Sequence, residues 1–243
     1  MDAHHRLSSS LATLQAAKRR EELLPALSDI CSRYGLSHMT FLVVRVGDRP
    51  GLFPYYSTTY PDAWTKLYCG QEYFRIDPVI EVMRRGVLPV DWSALDQGTP
   101  EVQRFFEEAH SHDIGPHGLT IPIRGPSGER CLFSVASNLS ECGWTDLSAS
   151  SIHDLHILSY YLNETVLAVT GLREAGRYRS LSRRESQCLQ LLATGRISKQ
   201  IASALGISES AVKLYLRSAR GKLGASTSYQ AVAKASFLEL IEI

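Results

Sequence analysis

Four residues in the first half of the chain combine aromatic rings, hydrogen-bond donors and a carboxylate at spacings that suit a small-molecule pocket. Tyr60, Trp64 and Tyr68 recur every four residues, so one face of a helix would carry all three. Each ring offers an apolar surface and one O–H or N–H donor. Asp77 follows among apolar residues, where its carboxylate needs a donor, either a ligand N–H or a capped backbone turn. The pattern predicts a pocket for an amphiphile, although an ordinary hydrophobic core shows a similar aromatic stripe.

A second group of chemically informative residues lies near the C-terminus, on a helix predicted over 208–221. Lys213, Arg217 and Arg220 share one face of this helix, and apolar residues occupy another. An α-helix fits the major groove of DNA, where Lys and Arg donate to guanine while other basic residues meet phosphate. We predict that Lys213 and Arg217 contact bases, although a solvated helix face has the same spacing. The predicted DNA-binding residues are Lys199, Ser208, Ser210, Lys213, Leu214, Arg217, Arg220 and Lys222.

The elements that must position the pocket residues are predicted from hydrophobic periodicity. Helices are predicted over 20–34, 61–69, 78–85, 101–112 and 146–169. Strands are predicted over 39–46, 119–123 and 130–136, and the last two flank a Gly-Pro-Ser-Gly turn that is typical of a hairpin. We therefore expect an antiparallel sheet with helices packed on it.

The C-terminal helices have defined starts in the sequence. Ser182 and Glu185 form a capping box, in which each side chain satisfies a backbone N–H of the other residue. A second serine start at Ser198 leads to Gly206, which supplies the sharp turn of a helix-turn-helix unit. A third helix follows at Ser208, and a fourth amphipathic segment extends to residue 235. This order predicts a DNA-binding module.

Length and charge indicate two domains with different partners. The 243 residues exceed the usual size of a single domain, and a short basic stretch with two glycines predicts a linker over 171–179. Residues 175–243 contain 11 Lys and Arg against 4 Asp and Glu, whereas residues 1–174 contain 15 against 21. Only the C-terminal part suits a polyanion, so the acidic part should be held away from phosphates.

Membrane and disulfide classes of protein are disfavoured by composition. No apolar run approaches the roughly 20 residues needed to cross a bilayer, and the N-terminus lacks the apolar core of a signal peptide. The five cysteines are odd in number and form no C-x-x-C pair, so neither a disulfide framework nor a zinc site is expected. We expect a soluble, cytoplasmic protein without a membrane partner.

Motifs in both halves of the chain then point to one family. The C-terminal motifs are Leu181-Ser-x-Arg-Glu185, Leu189, Ala193-x-Gly195, Ile201-Ala202-x-x-Leu205-x-Ile207-Ser208, Val212-Lys213 and Lys222-Leu223. The N-terminal signature residues are Trp64, Tyr68, Asp77, Pro78, Trp92 and Gly118. On the basis of these two sets of motifs, nearly the whole chain resembles the LuxR family of quorum-sensing transcription regulators. Departures from the family pattern are Leu214, which could touch a thymine methyl or pack, and Ser228, where the family commonly has arginine.

The resemblance implies a fold and a domain organisation. The expected fold is α+β, with an N-terminal α/β/α sandwich around an antiparallel sheet and a C-terminal all-α four-helix LuxR-type helix-turn-helix domain. Residues 1–170 would form the autoinducer-binding and dimerisation domain, and residues 180–243 the DNA-binding domain. A homodimer would bind an inverted repeat in promoter DNA, with RNA polymerase as a further partner. The contacts between the two protomers of the dimer would come from apolar positions of 155–167 and from Ala231, Val232, Ala235 and Leu238.

The resemblance also implies an N-acyl-homoserine lactone as ligand. Trp64 would donate to the lactone carbonyl, Asp77 would accept from the amide N–H, and Tyr60 and Ser134 would donate to the acyl carbonyl. The predicted ligand-binding residues are Tyr60, Trp64, Tyr68, Asp77, Val79, Trp92, Thr120, Ser134, Thr40 and Leu42. Thr40 and Leu42 represent one face of the first strand, but the opposite face is equally apolar, so period alone does not choose between them. The acyl group is left open.

Two alternatives remain beside the lactone receptor. The first is a ligand-independent LuxR-type regulator whose N-terminal domain only dimerises. The second is a metal-dependent lactone hydrolase, because His110, His112 and Asp113, with His117 nearby, have a spacing known from metal sites. This cluster ends a helical pattern instead of following a strand, and Ile114 stands where a further histidine is expected. We therefore expect no enzyme activity, no metal and no cofactor.

Overall fold

The chain forms two units, the first of residues 1–124 and 129–173 and the second of residues 125–128 and 174–243. Each unit contains a hydrophobic core of its own. The computed structural model describes residues 3–45, 55–125, 128–172 and 180–242. The predicted linker, 171–179, falls mainly outside these ranges, as does Val46 at the end of the first predicted strand.

The first unit is built on an antiparallel sheet. Its strands are β1 (His38–Arg45), β2 (Tyr55–Thr58), β3 (Val90–Asp91), β4 (His117–Arg124) and β5 (Arg130–Ser137), in the spatial order β2-β1-β5-β4-β3. Its α-helices are α1 (Ala3–Ala16), α2 (Leu23–Tyr34), α3 (Asp62–Gly70), α4 (Pro78–Arg85), α5 (Pro100–Ser111) and α6 (Glu141–Val169). Every paired strand is antiparallel, which confirms the predicted sheet and the β4–β5 hairpin.

Helices cover both faces of this sheet, so the α/β/α sandwich is confirmed. Met39, Phe41 and Val43 of β1 are fully buried in a core that includes leucines of α1, α2 and α6. On the opposite face, Leu42 packs in a second cluster with Trp64 of α3 and with residues of α4 and α5. The two faces of β1 are both apolar because each meets a helical layer, which is why period alone could not distinguish them.

Three elements of the first unit were not predicted. Helix α1 carries only a narrow apolar stripe, which includes Leu7, Leu11 and Leu14 among serines and polar residues. Strands β2 and β3 are four and two residues long, too short to show a clear period. Helix α6 begins at Glu141 instead of Asp146, because the Ser140 side chain caps it by accepting from the N–H of Gly143.

The second unit is helical. Its helices are α7 (Arg183–Ala193), α8 (Ser198–Leu205), α9 (Glu209–Lys222) and α10 (Ser228–Phe237). The predicted capping box of Ser182 and Glu185 opens α7, and Ser208 caps α9 by accepting from the N–H of Ala211. Helix α8 starts one residue earlier than predicted, because its cap position is Ile197 and Ser198 lies inside the helix. Gly206 takes a φ of +63° in the turn before α9, a conformation that favours glycine.

Candidate functional site

A cavity of about 650 Å³ lies between the sheet and helices α3, α4 and α5 of the first unit. This volume is within the range of small-molecule sites, roughly 300–1,000 Å³. The predicted ligand residues that line it are Thr40, Leu42, Tyr60, Trp64, Tyr68, Asp77, Val79, Trp92 and Ser134. The structure therefore assigns Thr40 and Leu42 to the cavity face of β1. Sequence reasoning missed other lining residues, among them Thr58, Phe105 and Leu132.

Asp77 is a buried carboxylate whose two oxygens have different partners. Oδ1 accepts from the N–H of Val79 at 2.8 Å and so caps α4, and Pro78 occupies the first helical position. Oδ2 accepts from the Tyr68 hydroxyl at 2.8 Å. Burial raises the pKa of Asp77 to about 6, and the two donors offset this only in part. Each oxygen can accept a further hydrogen bond, so the cap leaves room for a ligand N–H.

Trp64 is a buried donor with a free N–H. Its indole ring is stacked on Tyr73, with ring centroids 6.0 Å apart, and also packs against Tyr68, Phe105 and His112. Within the part of the chain that the structure describes, the indole N–H makes no hydrogen bond. Trp64 lines the cavity, so its N–H suits an acceptor supplied from outside the chain.

Four hydroxyl residues form one cross-strand row on the cavity side of the sheet. Thr58, Thr40, Ser134 and Thr120 are direct neighbours in register across β2, β1, β5 and β4. The Oγ1 atoms of Thr40 and Thr58 are 2.6 Å apart, and Thr120 Oγ1 is 2.9 Å from Ser134 Oγ. Sequence reasoning missed Thr58 because β2 was not predicted. The register, which makes these residues a row, depends on strand pairing between distant segments.

Trp92 donates a hydrogen bond to one end of this row. The indole can only donate, and its Nε1 lies 2.8 Å from Thr120 Oγ1, so Thr120 accepts there. Thr120 is fully buried and does not line the cavity, contrary to the prediction that it faces the ligand. Either hydroxyl can donate between Thr120 and Ser134, since the Thr120 oxygen keeps a second lone pair. When Thr120 donates, the hydroxyl of Ser134 is left to donate into the cavity.

Tyr60 is a further polar group at the cavity. Burial raises the pKa of its hydroxyl, and a hydrogen bond with Thr40 offsets this only in part. The hydroxyl therefore stays protonated at neutral pH and can act as a donor. Tyr60, Trp64 and Ser134 thus offer donors, and the Asp77 carboxylate offers an acceptor, within a lining that also contains other polar side chains.

Gly118 leaves the space that Trp92 occupies. A Cβ on Gly118 would lie 2.4 Å from the Trp92 ring, which is not a possible contact. We expect Gly118→Ala to lower the free energy of unfolding of the first unit by about 2 kcal/mol, because it forces a tightly packed ring to move. Gly70→Ala is the matched control, since a Cβ there meets no atom within 4 Å. Urea denaturation followed by tryptophan fluorescence measures both; equal midpoints for the two variants would contradict the packing role of Gly118.

Helix α9 presents an exposed stripe in the second unit. Val212, Leu216 and Ala219 are buried against the other helices. The opposite side is exposed and carries Ser210, Lys213, Leu214, Arg217 and Gly221. Lys199 of α8 is exposed as well, Ser208 is exposed at the α9 cap, and Arg220 is half-buried. The exposed side thus combines two cations with one apolar and one hydroxyl side chain.

Lys222 has a different environment from the cations of this stripe. Its Nζ lies 2.7 Å from Glu185 Oε2 and also donates to the backbone carbonyl of Ser180. Glu185 accepts in addition from the Ser218 hydroxyl at 2.6 Å and from the N–H of Ser182 at 2.6 Å. Burial raises the pKa of Glu185, but the hydrogen bonds from these partners together lower it by more, so that the pKa is about 2. Lys222 therefore joins α9 to α7, and its DNA contact stays a prediction.

Comparisons with known proteins agree with this combination of cavity and helical unit. Residues 19–166 match the family described as "Autoinducer binding domain", and residues 179–235 match "Bacterial regulatory proteins, luxR family". The chain belongs to the LuxR family of transcription regulators. In this LuxR-family chain, the two matched domains correspond to the unit with the cavity and to the unit with α9.

Named relatives of this LuxR-family chain are transcriptional activators. The transcriptional activator protein RaiR of Rhizobium etli is 44% identical over 175 residues, which are 72% of each chain. The transcriptional activator protein AhyR of Aeromonas hydrophila is 31% identical over 183 residues, 72% of this chain and 68% of that protein. The crystal structure of Escherichia coli SdiA superposes with a TM-score of 0.72 at 21% identity and covers 100% of both chains. The SdiA likeness confirms the LuxR-type fold.

The histidine cluster of the hydrolase alternative does not assemble into a metal site. His112 Nδ1 is bonded to the carbonyl of Glu108, and the His117 ring stacks on Trp144. Asp113 accepts from the side chain of Asn138. No group of three or more His, Cys, Asp or Glu among the described residues could hold a metal ion. The family is one of transcription regulators, and the hydrolase alternative has no supporting geometry.

The dimer contacts expected from the sequence include both buried and exposed side chains in the structure. Ala231, Ala235 and Leu238 are buried in the core of their own unit and Val232 packs against it, so they cannot be a free dimer surface. On α6, Leu155, Leu158, Leu162, Val166 and Leu167 are likewise buried in their own unit. Apolar side chains that α6 does expose are Ile157, Tyr160 and Tyr161.

None of the described helices is both long and apolar enough to span a membrane.

Proposed function

We propose that this LuxR-family chain is a quorum-sensing transcription factor whose cavity binds an N-acyl-homoserine lactone. The observation that carries this proposal is the pairing, in one cavity, of an unbonded Trp64 N–H with a buried Asp77 carboxylate. A lactone carbonyl is an acceptor for Trp64, and the neighbouring amide N–H is a donor for Asp77. A ligand with an acceptor and a donor a few atoms apart would satisfy both groups at once.

The acyl carbonyl would be held by hydroxyl donors on the other side of the amide. Tyr60 and Ser134 both line the cavity, and the O–H of Ser134 would donate to the ligand when Thr120 donates to Ser134. The acyl chain would then lie on apolar side chains, which include Leu42, Val79 and Leu132. Burying it there adds roughly 0.8 kcal/mol per CH₂ group. The ligand would thereby complete the core of its domain and stabilise the folded state by mass action.

DNA binding would use the exposed stripe of α9 in each of two copies. Lys213 and Arg217 of this stripe would reach bases, while the exposed Lys199 of α8 and the half-buried Arg220 would contact phosphate. A two-fold symmetric dimer would bind an inverted repeat with half-sites roughly one helical turn apart. The exposed Ile157, Tyr160 and Tyr161 of α6 are the side chains we propose for the dimer contact. RNA polymerase would be the further partner at the promoter, in the cytoplasm.

A panel experiment tests this function. The full chain, purified from a host that makes no lactone, is mixed singly with straight-chain N-acyl-homoserine lactones of four to fourteen carbons, and its thermal unfolding is recorded. We expect at least one lactone to raise the melting temperature in a saturable way, and the stabilised protein to select an inverted repeat from random duplex DNA. No shift with any lactone, together with selection of the same DNA in its absence, would establish the ligand-independent regulator instead.

The pH dependence of lactone binding follows from the pKa of Asp77. Its folded-state pKa of about 6 is raised from 3.8, so ionisation on folding is disfavoured and the unliganded domain loses stability as pH rises from about 4 to 6. The ligand amide binds the ionised form, so the bound state favours loss of the proton. We expect lactone affinity to be about tenfold lower at pH 5 than at pH 7, since protonation replaces the charged acceptor by a neutral group that also carries a donor. Titration calorimetry measures it; an equal pH dependence in Asp77→Asn would contradict this assignment.

A further inference from the structure

Leu214 is a large apolar side chain on the exposed side of the helix proposed to enter DNA. Its side chain is 64% exposed, so it does not contribute to the core of the second unit. An isolated exposed leucine is common on protein surfaces and needs no explanation by itself. The position of Leu214 within α9 is what makes it informative.

Leu214 lies at the centre of the exposed stripe. Ser210 precedes it by four residues and Arg217 follows it by three, so both are its neighbours on the helix surface. Lys213 is adjacent, and the buried side of the helix is formed by Val212 and Leu216. If Lys213 and Arg217 reach base edges, Leu214 must reach the floor of the same groove between them.

The chemistry of the major groove limits what a leucine can contact there. Guanine, cytosine and adenine present hydrogen-bond donors and acceptors. An apolar side chain would remove water from these groups without offering a hydrogen bond in exchange. Thymine presents a C5-methyl group, the one apolar group among the base edges of this groove. A leucine that lies over this methyl removes apolar surface of both partners from water.

We propose that Leu214 is a specificity-determining residue that recognises the C5-methyl group of a thymine in each half-site. This inference rests on the proposed DNA-binding function and adds to it the identity of one base and the group that is read. Lys213 and Arg217 would supply affinity and contacts to polar base edges. Leu214 would reject the other three bases, and also uracil, at its position.

Replacement of thymine by deoxyuridine tests the inference because it deletes the methyl group alone. The full chain, saturated with the lactone that stabilises it most in the panel above, first selects its inverted repeat from random duplexes. Each thymine pair of that repeat is then replaced by deoxyuridine in both half-sites, and binding is measured by fluorescence anisotropy at one fixed salt concentration. Burial of one methyl group corresponds to about a fourfold change in affinity per half-site, hence about 15-fold for the symmetric pair.

The wild-type chain is expected to show this loss at one symmetric thymine pair. Leu214→Ala is expected to bind the thymine duplex more weakly and to distinguish thymine from deoxyuridine less than twofold at that pair. Leu240→Ala, which removes an exposed leucine outside α9, is the control and should keep the full discrimination. Lys213→Ala should weaken binding of both duplexes equally.

The outcomes separate this inference from the function on which it rests. A wild-type chain that selects no duplex at all overturns the proposed function. A wild-type chain that binds its repeat but tolerates deoxyuridine at every position overturns only the role of Leu214. The same holds if Leu214→Ala retains the wild-type discrimination. Because Leu214 is exposed, loss of fold is not expected in this variant, and its circular dichroism should match the wild type.

Discussion

Asp77→Asn is expected to weaken lactone binding by about 10- to 100-fold, because a hydrogen bond to a charged group contributes about 1.5–3 kcal/mol. The asparagine oxygen can still accept from the N–H of Val79, so the cap of α4 is retained. The amide nitrogen would replace the oxygen that now accepts from Tyr68, and it would meet the ligand N–H as a second donor. Titration calorimetry against the best lactone of the panel measures the effect.

Asp91→Asn is the matched control for this variant. Asp91 also accepts from a backbone N–H, that of Ser93, and from an aromatic donor, Trp144 Nε1 at 2.8 Å. It does not line the cavity. Its substitution should lower stability but leave the lactone dissociation constant unchanged within about twofold. An unchanged dissociation constant in Asp77→Asn, or an equal loss in both variants, would remove Asp77 from the binding site.

Glu185→Ala is expected to destabilise the second unit by about 3 kcal/mol, because it leaves three donors of α7 and α9 without their common acceptor. Those donors are the ammonium of Lys222, the hydroxyl of Ser218 and the N–H of Ser182. All three tryptophans of the chain lie before residue 150, so their fluorescence reports on the first unit only. Hydrogen exchange of peptides from α7 and α9 measures the second unit.

The acid dependence of this carboxylate provides an independent check. The pKa of Glu185 in the folded state, about 2, lies below its ordinary value of 4.5. Its stabilising contribution is therefore fully present above about pH 4.5 and is lost as pH falls through 2. Lys222→Met should cost less than Glu185→Ala, since it removes one of the three donors. Equal protection of α9 amides in wild type and Glu185→Ala would show that the carboxylate does not join the helices.

The residues that carried the sequence prediction of the cavity were those with a local signal. Tyr60, Trp64 and Tyr68 all line the cavity, but only Trp64 and Tyr68 lie on α3. The prediction of one shared helix face is wrong for Tyr60, which precedes the helix. Asp77 was placed by its apolar surroundings, and its double role at a helix cap and a cavity wall agrees with the two alternatives set out for it. Local period and local chemistry were sufficient for Trp64, Tyr68 and Asp77.

Other features depend on contacts between distant segments, which local patterns do not contain. The hydroxyl row requires the register of four strands, and its Thr58 lies on a strand too short to be recognised. The ion pair of Lys222 with Glu185, 37 residues earlier in the chain, is not contained in any local pattern. Ala231 and Ala235 form an apolar stripe that suits a dimer interface and a hydrophobic core equally. The structure shows that they pack in the core of their own unit.

Native mass spectrometry of the full chain tests the central claim most directly. The protein is produced in a host that makes no lactone, in medium that contains an equimolar mixture of N-acyl-homoserine lactones of four to fourteen carbons. We expect the folded chain to retain one lactone per protomer, selected from the mixture, and Asp77→Asn to retain far less. Folded protein with no retained lactone, at the mass of the bare chain, would contradict the account.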